Sequence, residues 1–219
     1  MGKKYWEWEP AFVLKPEETA LLVIDMQKGF VDAGASLEVP MARAQVPTIA
    51  ELISFCRSKQ IPVFFTTFTI GPDFHYNFYW KNAAQRGLKV ERPHCEYWLG
   101  TPETEIVDAL RPLPEEAVIR KCSYDCFART DLDNMLRSQG IKTILTAGTV
   151  VNWCVDSTVR SAYHKDYNVV VVSDGVSAYS DVSASAEDWC RIELNLFAEA
   201  FGRVLSSKDI MKELNGSVN

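Results

Sequence analysis

The sequence predicts an α/β fold, a three-layer αβα sandwich around a mostly parallel sheet of about six strands. Short β-branched and apolar runs alternate with stretches at helical spacing, the order left by a parallel sheet covered on both faces. No repeat, linker or low-complexity segment interrupts that alternation. Residues 1–219 therefore read as a single domain, long enough to enclose a sizeable apolar core.

The first strand is Ala20–Asp25, an apolar run that ends in an acid. A helix follows from Ala42 to Lys59, with Ile49, Leu52, Ile53 and Cys56 at helical spacing. Pro62–Thr67 is the second strand. The aromatic and polar segment from Thr69 to Gly100 is long for a connection in a compact domain, which marks it as functional. Thr101-Pro102-Glu103-Thr104-Glu105 has the form of a helix start, predicting a short helix from Pro102 to Leu110. Ala117–Ile119 is the third strand and Thr130–Ser138 a helix. Thr143–Ala147 is the fourth strand, closed by Gly148. A helix from Val155 to Lys165, a strand from Asn168 to Val172, a helix from Ala184 to Ala200 and a short strand, Arg203–Leu205, complete the order.

Composition narrows the function. The 23 Lys and Arg against 29 Asp and Glu give a formal charge of −6, and no basic stretch is long enough to track a phosphate backbone. Nucleic acid is not an expected partner. The run Val169–Val172 falls far short of the roughly 20 residues that span a bilayer. Residues Met1–Pro10 carry two lysines and two glutamates and lack the apolar run of a leader, so a cytoplasmic protein is expected. The tryptophans there are expected to pack on the domain or on a neighbouring subunit. Six cysteines without a CxxC pair fit reduced thiols.

Three polar residues fall at strand ends: Asp25 after the first, Lys121 after the third and Cys154 at the start of the helix after the fourth. In parallel α/β sheets ligands bind beyond the carboxyl ends of the strands. Singly, each has a plainer reading: a turn acid, a solvated lysine, a core thiol. Together they supply thiol chemistry, because an ammonium and a helix start both favour a thiolate. Cys154 is then expected to be nucleophilic near neutral pH, with Asp25 moving the proton.

These residues resemble the cysteine hydrolases of the isochorismatase-like superfamily, which includes nicotinamidases, N-carbamoylsarcosine amidases, biuret hydrolases and ureidoacrylate amidohydrolases. The resemblance rests on Leu22-Val23-Ile24-Asp25-Met26-Gln27-x-x-Phe30, on Lys121 before Phe127-x-x-Thr130-x-Leu132, and on Ala147-Gly148-Thr149-Val150-Val151-Asn152-Trp153-Cys154-Val155-x-Ser157-Thr158. It implies a catalytic triad of Asp25, Lys121 and Cys154, an oxyanion hole from the N–H groups of Val150 and Cys154, and a cis peptide at Thr149–Val150. It also implies a homo-oligomer, a dimer or tetramer, with the amino terminus and the 69–100 segment as contacts. Three positions depart from the pattern: Lys28-Gly29 stands where Asn-Asp is common, and Val151 where Thr is usual.

Nicotinamidases in that superfamily hold a divalent metal through Asp-x-His directly after the second strand. Here Asp73 and His75 arrive several residues later, with His94 further on, so no metal and no cofactor is expected. Cys56, Cys95, Cys122, Cys126 and Cys190 read as packed thiols and His164 as a charge near a helix end. Phe30, Tyr76, Phe78, Tyr79, Trp80 and Trp153 gather aromatics at the carboxyl edge. With Gln27 and Asn152 for hydrogen bonds, they suggest a tight pocket for a planar or short substrate. Asn152 has a second reading as the cap of the helix carrying Cys154.

The expected activity is hydrolysis of a C–N bond in a small amide, carbamoyl or ureido compound through a Cys thioester. The alternatives are a metal-dependent nicotinamidase, an isochorismatase-type vinyl-ether hydrolase and a catalytically silent binding protein on the same fold.

Overall fold

The computed structural model describes residues 8–75, 77–88, 91 and 95–216. Six strands form one sheet in the order β3-β2-β1-β4-β5-β6. They are β1 Thr19–Ile24, β2 Val63–Phe68, β3 Ala117–Lys121, β4 Thr143–Thr149, β5 Asn168–Ser177 and β6 Arg203–Leu205. Every neighbouring pair is parallel. β1, β2 and β4 are buried at every residue, which explains why they read as unbroken apolar runs.

The helices are α1 Lys28–Val31, α2 Pro40–Ser58, α3 Asn77–Gln85, α4 Leu132–Ser138, α5 Asp156–His164, α6 Ala186–Ala200 and α7 Ser207–Leu214. α2 turns Ala42, Ile49, Leu52, Ile53 and Cys56 to the core, the spacing that predicted it. Ser185 caps α6 by accepting from the Asp188 N–H, so that helix starts two residues later than the sequence suggests. Among the described residues no helix is long and apolar enough to cross a membrane.

Two expectations are corrected. The segment Pro102–Leu110 is not a helix but two separate single turns, Pro102–Thr104 and Asp108–Leu110. Its backbone bonds elsewhere: Lys28 N–H donates to Glu105 O at 2.8 Å, Val107 N–H donates to Met26 O at 3.1 Å, and Gln27 bridges Ile106. The 69–100 segment, read as a loop, contains α3.

The sheet's order reverses at β1, which has β2 on one side and β4 on the other. That is the switch point at which such sheets open a crevice. Gly148 makes the close approach of β1 and β4 possible there. Its φ is 121°, and a Cβ at this position would collide with the Ile24 carbonyl. The β4–β5 register shifts between Thr146 and Gly148, bending the strand just before the turn that carries Cys154.

Candidate active site

Asp25 follows β1 with φ 52°, a left-handed conformation that aspartate tolerates better than most residues. Lys121 ends β3, two strands away, a lateral gap of roughly 10 Å that a long side chain crosses. Cys154 sits in a π-helical turn, Val151–Val155, between β4 and α5. The structure brings the three together. Lys121 Nζ lies 2.6 Å from Asp25 Oδ2 and 3.5 Å from Cys154 Sγ. All are buried, Asp25 and Lys121 at 0% and 1% exposure.

The pair is held by neutral groups that the sequence reading missed. Thr66 on β2 donates to Asp25 Oδ1 at 2.7 Å and accepts from the Asp25 N–H at 3.3 Å. Lys121 Nζ also donates to Ser123 O at 2.9 Å, and Cys126 Sγ contacts Thr66 Oγ1 at 3.8 Å. Thr158 donates to Cys154 O at 2.7 Å and accepts from Cys126 N–H at 3.0 Å. Asp25 Oδ2 meets Lys121 as a buried ion pair, and a carboxylate oxygen with two lone pairs can hold that contact and still accept another proton.

Burial opposes the charge on Lys121, yet the Asp25 carboxylate 2.6 Å away outweighs it and holds the ammonium above the ordinary lysine range. Burial also pushes the Cys154 thiol up; Lys121 pulls it back and Asp25 pushes it further. The Asp25 carboxylate belongs to the same cluster and is able to take the thiol's proton.

Above Cys154 lies a cavity of about 380 Å³, lined by Thr149, Val150, Asn152 and Trp153, by Phe30 and by residues of α3. The Thr149–Val150 peptide is cis, as the family resemblance implies. Phe30 stacks on Tyr97 with centroids 5.2 Å apart, and Trp153 packs against Tyr124 and Tyr179, each at 5.8 Å. The side-chain oxygens of Asn152 and Thr149 are buried without a hydrogen-bond partner. Neither Asn152 nor any other side chain caps the turn's start at Val150.

Two expected pocket residues lie elsewhere. The fully buried Gln27 spends its amide on the backbone, donating to Phe68 O at 3.1 Å and Glu103 O at 2.8 Å and accepting from Phe68 N–H at 2.7 Å. It latches β2 to the 102–104 turn and does not line the cavity. Trp80 packs on Phe74 and Tyr79, with centroids 5.3 and 5.7 Å away, behind the cavity wall. Tyr76 and His94 fall outside the described residues. Asp73, a candidate metal ligand, is paired with Arg120. Gly29, one departure from the family pattern, is occluded by Tyr97, whose hydroxyl donates to Gly29 O. Lys28 pairs with Glu105 at 2.6 Å.

The isochorismatase domain family matches residues 19–209, which covers the sheet and all three clustered side chains. The chain belongs to the isochorismatase family. As an isochorismatase-like hydrolase it is 33% identical over 178 residues to the ureidoacrylate amidohydrolase RutB of Pseudomonas savastanoi pv. phaseolicola (strain 1448A / Race 6), covering 74% of this chain and 71% of that one. A cysteine hydrolase from Pseudomonas syringae pv. phaseolicola 1448A superposes with a TM-score of 0.84 at 28% identity, covering 95% of this chain and 98% of that one. The N-carbamoylsarcosine amidase from Thermoplasma acidophilum superposes with a TM-score of 0.68 at 26% identity, covering 87% and 96%. Arg86, Tyr124 and Tyr179 also line the cavity. They carry no local sequence signal, because each comes from a different loop or helix end and only the fold gathers them.

Proposed function

We propose that this protein is an amidohydrolase that cleaves a C–N bond in a small amide, carbamoyl or ureido compound through a Cys154 thioester. The carrying observation is the ammonium of Lys121, 2.6 Å from the Asp25 carboxylate and 3.5 Å from the Cys154 sulfur. The relatedness to ureidoacrylate amidohydrolases and to an N-carbamoylsarcosine amidase supports the bond type.

In this reading the Cys154 S–H bond gives its proton to Asp25 as Sγ attacks the carbonyl carbon. The oxygen of the tetrahedral intermediate accepts from the Val150 and Cys154 N–H groups, a type of contact worth about 3 kcal/mol per donor in the transition state. Asp25 returns the proton to the departing nitrogen, the C–N bond breaks, and ammonia or an amine leaves a thioester. Water then attacks, its proton passes to Asp25, and the thiolate departs and is reprotonated. Lys121 stays charged throughout, stabilising the carboxylate and the transient thiolate. Asn152 Oδ1 and Thr149 Oγ1 offer acceptors for the substrate's N–H groups.

The test is ammonia release across nicotinamide, biuret, N-carbamoyl amino acids, ureidoacrylate analogues and short amides, with Cys154→Ala as the blank. Removing the nucleophile is expected to cost at least about 10⁴-fold in kcat. Acid-quenched protein should carry the acyl mass on the Cys154 peptide. Equal release by wild type and Cys154→Ala would sink the proposal.

A further inference from the structure

Arg86 follows α3 directly, in a turn where its N–H donates to Asn82 O at 3.0 Å and Ala83 O at 3.1 Å. Its guanidinium lies over the Trp153 ring, 5.3 Å from the centroid. Among the described residues, Arg86 is the only charged side chain lining the cavity, and no carboxylate lines it. Nor does any ion pair among the described residues occupy Arg86.

We infer that Arg86 is a specificity-determining residue that binds a carboxylate on the substrate, so that the enzyme takes amido or ureido acids in preference to neutral amides. This rests on the amidohydrolase reading of the same site.

Three observations carry it. First, the guanidinium is held in place. Trp153 is wedged between Tyr124 and Tyr179, and a planar cation stacked on a fixed indole loses less freedom on binding an anion than a free side chain does. Second, its charge reaches hydroxyls of residues that line the cavity. Burial raises the pKa of the Tyr79, Tyr124 and Tyr179 hydroxyls, and in each case Arg86 acts in the opposite direction. Third, the protein's formal charge of −6 disfavours anions in general, so an anionic substrate needs a local cation at the cavity. Trp153 adjoins the nucleophile in sequence, and the orphaned Asn152 oxygen is one residue further back. The cavity thus offers acceptors for N–H groups at Thr149 and Asn152 and a planar two-pronged donor over Trp153, the complement of a short acid with an amide or ureido head.

The experiment uses two charge pairs on the full chain. One is N-carbamoyl-β-alanine against its methyl ester, read as kcat/KM for ammonia release. The other is iodoacetate against iodoacetamide, read as the rate of Cys154 alkylation at one pH and ionic strength. In Arg86→Gln the anionic-to-neutral ratio should fall by about 10–100-fold for the substrates, mostly in KM. For the alkylating agents it should fall by about 3–10-fold, the part set by electrostatic attraction alone. Arg86→Lys, which retains charge without the planar fork, should hold the alkylation ratio near wild type and recover the substrate ratio only in part. Either ratio staying within about twofold of wild type in Arg86→Gln overturns the inference. If wild type hydrolyses neither ureido compound nor any of the amides above, the amidohydrolase reading fails instead. The alkylation ratio then still decides whether Arg86 selects anions.

Discussion

At the floor of the cavity Asp25 and Lys121 are 0% and 1% exposed, and both come from strand ends whose register the sheet fixes. At the mouth Phe78 is 78% exposed and Tyr124 42%, and the contacts are ring against ring or cation against ring. A buried charge must be met by specific partners or it costs several kcal/mol, so the floor admits few arrangements. Aromatic contacts are worth roughly 0.5–1.5 kcal/mol each and tolerate tilt, so the mouth can be rebuilt without loss of the fold. Proposed reaction and proposed selectivity are thereby assigned to parts of the molecule with different tolerance.

The largest effect expected from breaking that contrast is at Lys121. Lys121→Met leaves the Asp25 carboxylate buried beside Thr66 with no countercharge, a loss of about 3–5 kcal/mol in unfolding free energy by denaturant titration. Adding Asp25→Asn removes the orphaned charge, and the double variant should regain most of that stability. Activity should be absent in both. A double variant as unstable as the single one would mean the pair is not the source of the cost.

Thr66→Val comes next. It preserves shape but deletes the 2.7 Å hydrogen bond to Asp25 Oδ1, with an expected cost of about 1–3 kcal/mol. The lost bond orients the proposed proton acceptor, so kcat should fall about 10-fold or more while KM moves little, and Thr66→Ser should restore most of it. Equal kcat in Val and Ser variants would separate Thr66 from the reaction.

The difference between floor and mouth also decides what the sequence could reveal. Asp25 and Cys154 stand out because each closes an apolar strand or its following turn, a position with chemical meaning in a parallel sheet. Thr66 lay hidden because a threonine inside Val63–Phe68 is an ordinary strand residue until its neighbour is known. Gln27 was misread for the converse reason: a polar residue after a strand suggests a pocket, but the 102–110 segment turned back and used its amide. Arg86, Tyr124 and Tyr179 had no pattern to betray them, since loop geometry alone brings them to Trp153.

Cys126 tests the floor by pH. Burial pushes its thiol up to about 12 from 9.0, opposed by Lys121 and raised further by Asp25. The group is neutral in the folded state while the unfolded chain loses its proton first. Its contribution is therefore fully present below the unfolded value and lost as pH rises from about 9 towards 12. Over that window wild type should lose stability more steeply than Cys126→Ala by about 1.4 kcal/mol per pH unit. Parallel curves would show that the thiol is not held protonated by the fold.

The smallest effect is expected at Tyr97, which links floor to mouth from behind Phe30. Its hydroxyl donates to Gly29 O and its ring stacks on Phe30 at 5.2 Å. Tyr97→Phe keeps the ring and its stack but leaves a buried carbonyl without that donor, a loss of about 0.5–1.5 kcal/mol and a fall of a few degrees in Tm. Because Phe30 retains its support, kcat/KM should change by less than about threefold. A larger drop in activity than in stability would mean that the α1 turn, and not only the aromatic surface it presents, positions the substrate over Cys154.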